Sequence, residues 1–432
     1  MVIKMKGKYY TMTEVKKMIV IQSVIDKKRT GKEASELLNV SERQIWRLVK
    51  KAKENGIDKL KHGNCNRVPK NKIPEDIVNK VIELKKSYNY ENSNFKHFTE
   101  LLEEKENIKL SYSTVYNILK NNGFISKNNH KDRITHRRRK RKEHEGDLVQ
   151  TDGTPFDWFE NNQLYSIHGF IDDATGKILG LYMMQNECLL GYLEALRYML
   201  NNYGVPKVIY PDKYSVFFPT KKQKITVEEE LQGKLTPTTQ FMNIISTLGI
   251  KMYPASTSQA KGRIERLWKT LQDRLITEFR INNITTPDQA NEFFTKFIPK
   301  YNNKFAVEPA SNISHFNKVP DYINLDLLLC AKLTRVIDNA GSFTIKGQRF
   351  QIINNKILPN VKVDIYISKK RGIIVVHNNT EYNVLCGTDV PGKYSTITAR
   401  QLYQENNAKV VEFATNILTY DSKVNEPLLT SS

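Results

Sequence analysis

Residues 147–152 read Asp147-Leu148-Val149-Gln150-Thr151-Asp152, a short apolar-centred run closed at both ends by a carboxylate. Before it the chain repeats apolar residues at helical spacing. From here short runs rich in β-branched and aromatic residues take over. The run itself predicts a buried strand ending at Asp152. Leu164–Ile171 and Ile178–Met184 predict two more strands, joined by the turn Asp172-Asp173-Ala174-Thr175-Gly176-Lys177. Leu189–Tyr203 predicts an apolar-faced helix stopped at Gly204. Lys207-Val208-Ile209-Tyr210 predicts a fourth strand, halted by Pro211 and followed at once by Asp212. A helix over Thr236–Leu248, a strand over Lys251–Tyr253 and a long helix over Gln259–Phe279 complete the series. In that last helix Ile264, Leu267, Leu271 and Leu275 form the apolar stripe, and Glu265 stands one position off it. The expected order is β-β-β-α-β-α-β-α, an α/β core carrying carboxylates at Asp152, Asp212 and Glu265.

Four strings are distinctive: Leu148-Val149-Gln150-Thr151-Asp152-Gly153-Thr154-Pro155; Phe170-Ile171-Asp172-Asp173-Ala174-Thr175-Gly176; Tyr210-Pro211-Asp212; and Ala260-Lys261-Gly262-Arg263-Ile264-Glu265-Arg266-Leu267-Trp268, with Tyr301-Asn302-Asn303 downstream. With the element order, they make the chain resemble bacterial insertion-sequence transposases of the integrase-core, acidic-triad (DDE) type, over roughly residues 11–320. The resemblance implies an RNase H-like core whose catalytic and metal-binding residues are Asp152, Asp212 and Glu265. It also implies Mg²⁺ as cofactor, as two divalent ions, with Mn²⁺ able to substitute. Phosphodiester exchange suits such a set, because two ions about 3.5–4 Å apart clamp the attacking and leaving oxygens. Mg²⁺ asks only for a few carboxylates, water and substrate phosphate. Asp147, Asp157, Asp172 and Asp173 compete for the first position, with the last two better suited to shaping a turn. Asp212 and Glu265 lie 53 residues apart, longer than in retroviral integrases, so 213–235 reads as an insertion. Lys261, Arg263, Arg266 and Lys269 around Glu265 are candidate DNA contacts; an ordinary Glu265–Lys269 helix pair is the plainer alternative. Trp268 is read as a core aromatic rather than a stacking wedge.

Upstream, the chain is helical and basic. Residues 1–145 hold 35 Lys+Arg against 18 Asp+Glu, so most of the formal net charge of +21 lies there. Helices are expected over Thr13–Lys27, Gly31–Leu38 and Glu42–Asn55, with Asn39-Val40-Ser41 as the turn and Ser41 as N-cap. The third helix keeps Ile45, Leu48 and Val49 on one face and Arg43, Gln44, Arg47, Lys50 and Lys51 on the other. This is the helix-turn-helix pattern, with Arg43, Gln44, Arg47 and Lys50 as DNA-binding candidates. A second three-helix unit is expected through Asn121, from Pro74, Phe95 and Ser111. Then comes Arg137-Arg138-Arg139-Lys140-Arg141-Lys142, six cations in a row. That run reads as an arm along phosphates, against the plainer reading of a solubilising linker.

Apolar residues make up 39% of the 432 and aromatics 10%, enough for sizeable cores. No apolar run approaches the roughly 20 residues of a membrane-spanning helix, and the N-terminus lacks a secretory h-region. The four cysteines are scattered, which suits a reducing cytosol, and the resemblance implies a bacterial cytoplasm, at the nucleoid. Alternating residues over 331–387 predict a small SH3-like β-barrel. The expected organisation is multidomain: a helix-turn-helix domain (1–62), a second such unit (70–127), a basic linker (128–145), the core (146–320), the barrel (331–390) and a tail (391–432). The expected partners are DNA, as inverted-repeat ends and target, and a second copy of the chain, as a homodimer or higher oligomer. The expected activity is Mg-dependent DNA strand cleavage and 3′-end strand transfer. The alternatives are a catalytically inactive DNA-binding regulator and a metal-dependent DNA nuclease.

Overall fold

The computed structural model describes residues 2–5, 8–60, 72–126, 139–219, 237–255, 261–353, 359–368, 371–386 and 408–415. Arg137, Arg138 and most of the expected insertion and tail lie outside them. The chain forms two compact units, Met1–Asn79 and Lys80–Ser432.

In the first unit, β1 (Val2–Met5) and β2 (Lys8–Thr11) pair as an antiparallel hairpin, which the sequence reading did not foresee. Helices α1 (Met12–Ile25), α2 (Gly31–Leu38) and α3 (Glu42–Asn55) follow. Thr30 and Glu33 form a reciprocal capping box at α2, and Asn39 ends it in the left-handed region, at φ 51°. The Ser41 side chain accepts from the Gln44 amide to start α3. Ile21, Ala34, Ile45, Leu48 and Val49 close the small core.

The second unit begins within α4 (Glu75–Lys86) and continues through α5 (Phe95–Glu106) and α6 (Tyr112–Asn121). Its central sheet has β3 (Val149–Phe156), β4 (Tyr165–Asp172), β5 (Ile178–Met184), β6 (Val208–Tyr210) and β7 (Lys251–Met252), in the order β5-β4-β3-β6-β7. The β3–β4 and β4–β5 pairs are antiparallel, whereas β6 pairs parallel with β3 and β7 parallel with β6. α7 (Leu189–Asn202) and α8 (Gln240–Thr247) cover one face with Val149, Phe170 and Ile209. α9 (Gly262–Ile281) and α10 (Pro287–Phe305) cover the other with Ile167, Ile171, Ile178 and Met183. A sheet buried on both faces explains why all eight residues of β4 are buried.

Two expectations change. β3 does not end at Asp152 but runs four residues on, through Gly153 and Pro155. Pro155 is tolerated because β3 pairs with β6 only at Val149 and Gln150, leaving one side of the strand free of a ladder further on. α10 was not foreseen either, although Thr286 and Gln289 form a capping box with Pro287 in the first turn. Its Asn302 side chain bonds both the amide and the carbonyl of Ile178 at the start of β5.

α5 docks on α9 and α10 through polar pairs. His97 Nε2 lies 3.1 Å from Glu278 Oε1, Arg274 donates to Glu100 at 2.7 Å, and Asn94 donates to Asp273. After the short helix α11 (Leu325–Leu328), six antiparallel strands follow: β8 (Ala331–Val336), β9 (Ser342–Ile345), β10 (Gln348–Ile352), β11 (Lys362–Ser368), β12 (Gly372–His377) and β13 (Thr380–Cys386). Their order, β8-β11-β12-β13-β10-β9, ends on β8 and β9. Residues 408–415 form a helix whose Val410 and Ala414 enter this sheet's core beside Phe350.

Candidate active site

Sheet register brings the first two carboxylates together. Gln150 on β3 pairs with Tyr210 on β6, and Asp152 and Asp212 each lie two residues beyond that pair. Parallel neighbours about 4.8 Å apart therefore present their carboxylates side by side at one end of the sheet. Lys261, at the N-terminal cap of α9, reaches between them. Its Nζ donates to Asp152 Oδ1 at 2.6 Å and lies 3.9 Å from Asp212 Oδ2. The Trp268 indole N–H donates to the other Asp152 oxygen at 3.2 Å. Trp268 is buried, as a core aromatic should be, but also fixes the orientation of the Asp152 carboxylate. Gly169, directly opposite Asp152 on β4, leaves the room the indole needs.

Glu265 is exposed, in the first turn of α9, with no hydrogen bond or ion pair among the described residues. Helical spacing places it on the face shared with Lys261 and Trp268, at i, i+4 and i+7. Both of those residues touch Asp152, whereas no described contact joins Glu265 to Asp152 or Asp212. The end of α9 is fixed from below by the Ile264 amide, which donates to Gln150 Oε1 at 3.2 Å.

The electrostatics are unbalanced. Burial pushes the Asp152 carboxyl above the usual range, and Asp212 adds to this. Lys261 and Trp268 pull the other way without restoring it. One further carboxylate, missed in the sequence reading, joins the group. Glu187, just before α7, is partly buried, and its carboxyl lies against Gly153: a Cβ there would stand 2.6 Å from Glu187 Cδ. Burial raises it too, with Asp152 and Asp212 contributing. Nothing in the string Gln185-Asn186-Glu187-Cys188 signals this, because the closeness arises from strand pairing.

The other candidates have definite places. Asp173 is fully buried and accepts from Arg139, from Arg263 Nε at 2.7 Å and from Gln150 at 2.9 Å. Arg141 donates to the Ala174 carbonyl at 3.1 Å. Arg139, Arg141 and Arg263, expected on DNA, thus hold the turn after β4, with Arg139 and Arg141 still exposed and Arg263 half-buried. Arg266 and Lys269 are exposed, as are Lys140 and Lys142. Asp172 caps its turn by accepting from Gly146 and Thr175, and Asp157 accepts from the amides of Asn161 and Asn162. Asp147 pairs with His315 and Lys207. Each competitor for the first position therefore has a structural task. On α3, Arg43, Arg47 and Lys50 are exposed and Gln44 half-buried. Trp46, which the sequence reading passed over, is 55% exposed beside them.

No family model matches the chain. Over 84% of its length it is 32% identical to the transposase of insertion sequence IS1202 from Streptococcus pneumoniae, covering 82% of that protein. The chain belongs to the insertion-sequence transposases. A second relative, named as a transposase of Sinorhizobium fredii, is 32% identical over 80% of the chain and 74% of its own length. Among solved structures, the catalytic core domain of HTLV-2 integrase in complex with magnesium aligns with 16% identity and a TM-score of 0.25. It covers 35% of the chain and 81% of that domain. The transposase is thus a polynucleotidyl transferase that works in DNA transposition. No described helix is long and apolar enough to cross a membrane.

Proposed function

We propose that this transposase cleaves DNA at its element's ends and transfers the 3′ ends to target DNA, with Asp152, Asp212 and Glu265 holding two Mg²⁺ ions. The supporting observation is the position of the Lys261 ammonium, a cation held between Asp152 and Asp212 where the register of β3 and β6 sets the two carboxylates side by side. A carboxylate pair that draws in a buried lysine and stays underneutralised suits a divalent cation. An all-oxygen donor set favours Mg²⁺, or Mn²⁺ in its place, over softer metals. Bound there, the ions would supply Lewis acidity to the phosphodiester and charge for the attacking and leaving oxygens.

The chain's own residues do the positioning. Trp268 holds Asp152 in one orientation. Lys261 holds the two carboxylates together; were metal bound there, its ammonium would be free to meet a backbone phosphate. Arg266 and Lys269, exposed on the same helix, extend that phosphate contact. The exposed face of α3, with Arg43, Gln44, Arg47 and Lys50, reads the element end as the second helix of a helix-turn-helix. The helices through α6 and the basic run 137–142 extend that grip, the C-terminal strands act as an SH3-like module, and two copies pair the two ends.

The test is cleavage and strand transfer on DNA carrying the flanking inverted repeats, comparing wild type with Asp152→Asn, Asp212→Asn and Glu265→Gln. Each substitution is expected to remove Mg²⁺-dependent activity while end binding persists. Full activity in all three would sink the triad assignment. Strand cleavage without transfer would favour the nuclease reading, and end binding without either reaction in the wild type the regulator.

A further inference from the structure

Three of the distinctive strings meet at one buried carboxylate that the triad leaves out. Asp173, in the turn after β4, is fully buried. Its Oδ1 accepts from Gln150 Nε2 at 2.9 Å and from Arg263 Nε at 2.7 Å, and its Oδ2 accepts from the Lys142 amide at 3.0 Å. Gln150 stands on β3 two residues before Asp152, and Arg263 on α9 two residues before Glu265. Asp173 is therefore tied to both elements that carry those carboxylates, at the same short offset from each. Lys261 and Trp268 also join α9 to β3, but through the Asp152 carboxylate itself. The contacts of Asp173 are independent of it.

The start of α9 has no cap of its own. Lys261, at the N-cap, makes no side-chain hydrogen bond to the helix, so the amides of the first turn need acceptors from elsewhere. Gln150 supplies one from the strand. Its Oε1 accepts from the Ile264 amide at 3.2 Å, the third amide of the helix, which an N-cap side chain normally serves. A glutamine amide can do this in only one of its two orientations. Asp173, an ionised carboxylate with no hydrogen to give, accepts from Gln150 Nε2 and so holds the oxygen toward α9. An asparagine at 173 could donate, and would leave both orientations open. A carboxylate is thus what the arrangement asks for. Burying one is costly unless it is well paired, and Arg139 and Arg263 supply the pairing.

We propose that Asp173 and Gln150 are positioning residues for strand cleavage and transfer: with Arg263 they set the first turn of α9 against β3 and so fix Glu265 relative to Asp152. This inference rests on the triad reading. Glu265 makes no hydrogen bond or ion pair among the described residues, so its place is set by how α9 is anchored.

The experiment separates DNA binding from the rate of the bound complex. Full-length wild type, Asp173→Asn, Gln150→Leu and Arg263→Met are compared on DNA carrying the flanking inverted repeats, with Glu265→Gln as reference. The dissociation constant is measured without divalent metal, and single-turnover cleavage is then started with Mg²⁺ at saturating protein. Each of the three variants is expected to slow cleavage of bound DNA about 10–100-fold, the scale of a misplaced reacting group, while DNA binding is not weakened. Arg263→Lys, which keeps a cation for Asp173, is expected to recover part of the rate. A merely structural role predicts a lower melting temperature with an unchanged rate per bound complex. If Asp173→Asn and Gln150→Leu cleave bound DNA at the wild-type rate while Glu265→Gln does not, the proposal is overturned and the triad stands. If Glu265→Gln also cleaves like wild type, the triad reading itself fails. Should Asp173→Asn not fold, Arg263→Met carries the same test, because it leaves Asp173 paired with Arg139. A slower bound complex then supports the proposal, and weaker binding at an unchanged rate makes Arg263 a DNA contact and overturns it.

Discussion

The two ends of α9 treat carboxylates in opposite ways. At its C-terminal half each is matched. Glu100 meets Arg274 and Lys304, Glu278 meets His97, and Glu160 meets Arg280. Burial works against the charge of Glu100 and Glu278, but the hydrogen bonds win, and both carboxyls are held below the usual range. At the N-terminal end Asp152 and Asp212 share one lysine, and burial wins at Asp152 and at Glu187. Carboxylates around one helix thus serve docking at one end, and on the proposed reading would hold metal at the other. Carboxylates left short of cations in a folded protein mark where something else is to bind.

That contrast predicts opposite responses to mutation. The largest expected effect is on chemistry: Asp212→Asn should cut strand cleavage at least about 10²–10³-fold, the scale seen when a transition-state charge contact is lost. Its melting temperature should not fall, because an unmatched charge has gone. A clear drop in stability would break the comparison. Next, Arg274→Ala should cost about 1.5–3 kcal/mol in denaturant unfolding, since the half-buried Glu100 loses its Arg274 hydrogen bonds and keeps only Lys304. Adding Mg²⁺ at about ten times its dissociation constant should stabilise the wild type by about 1.4 kcal/mol, and Asp152→Asn should lose that gain. The smallest effect is acid sensitivity of the docked end. Glu100 and Glu278 have depressed folded pKa values, so their contribution is present above the unfolded value of about 4.3. It is lost as pH falls through the folded values. A pH series of melts on Arg274→Ala should show a flatter slope there than wild type.

Local signals carried much of the fold. α2 and α3 fall at the expected boundaries, because Thr30, Asn39 and Ser41 are cap residues whose chemistry is local. The course of β3 beyond Asp152 was hidden because Gly153 and Pro155 break strands on average. Only the short reach of β6 shows why they are tolerated here. Pro299 inside α10 disguised a helix that its neighbours anchor. At the site, Asp212 follows the end of β6 as expected, whereas Asp152 stands within β3, and the resemblance rather than a strand end marked it. Glu187 could not be read in advance, since its nearness depends on a glycine in another strand and on a tyrosine one turn into the next helix. Lys261 was read by its sign and not by its partner.

The buried Asp173 bears on a quantity measured far from it, the salt dependence of DNA binding. Each cation that displaces a counterion from DNA adds about 0.9 to the slope of log affinity against log salt. A count from sequence credits the run Arg137–Lys142 with six such cations. Arg139 is bound to Asp173 and Arg141 to the neighbouring carbonyls, so the run should release about two fewer ions than its composition suggests. Asp173→Asn, by loosening that hold, should steepen the slope.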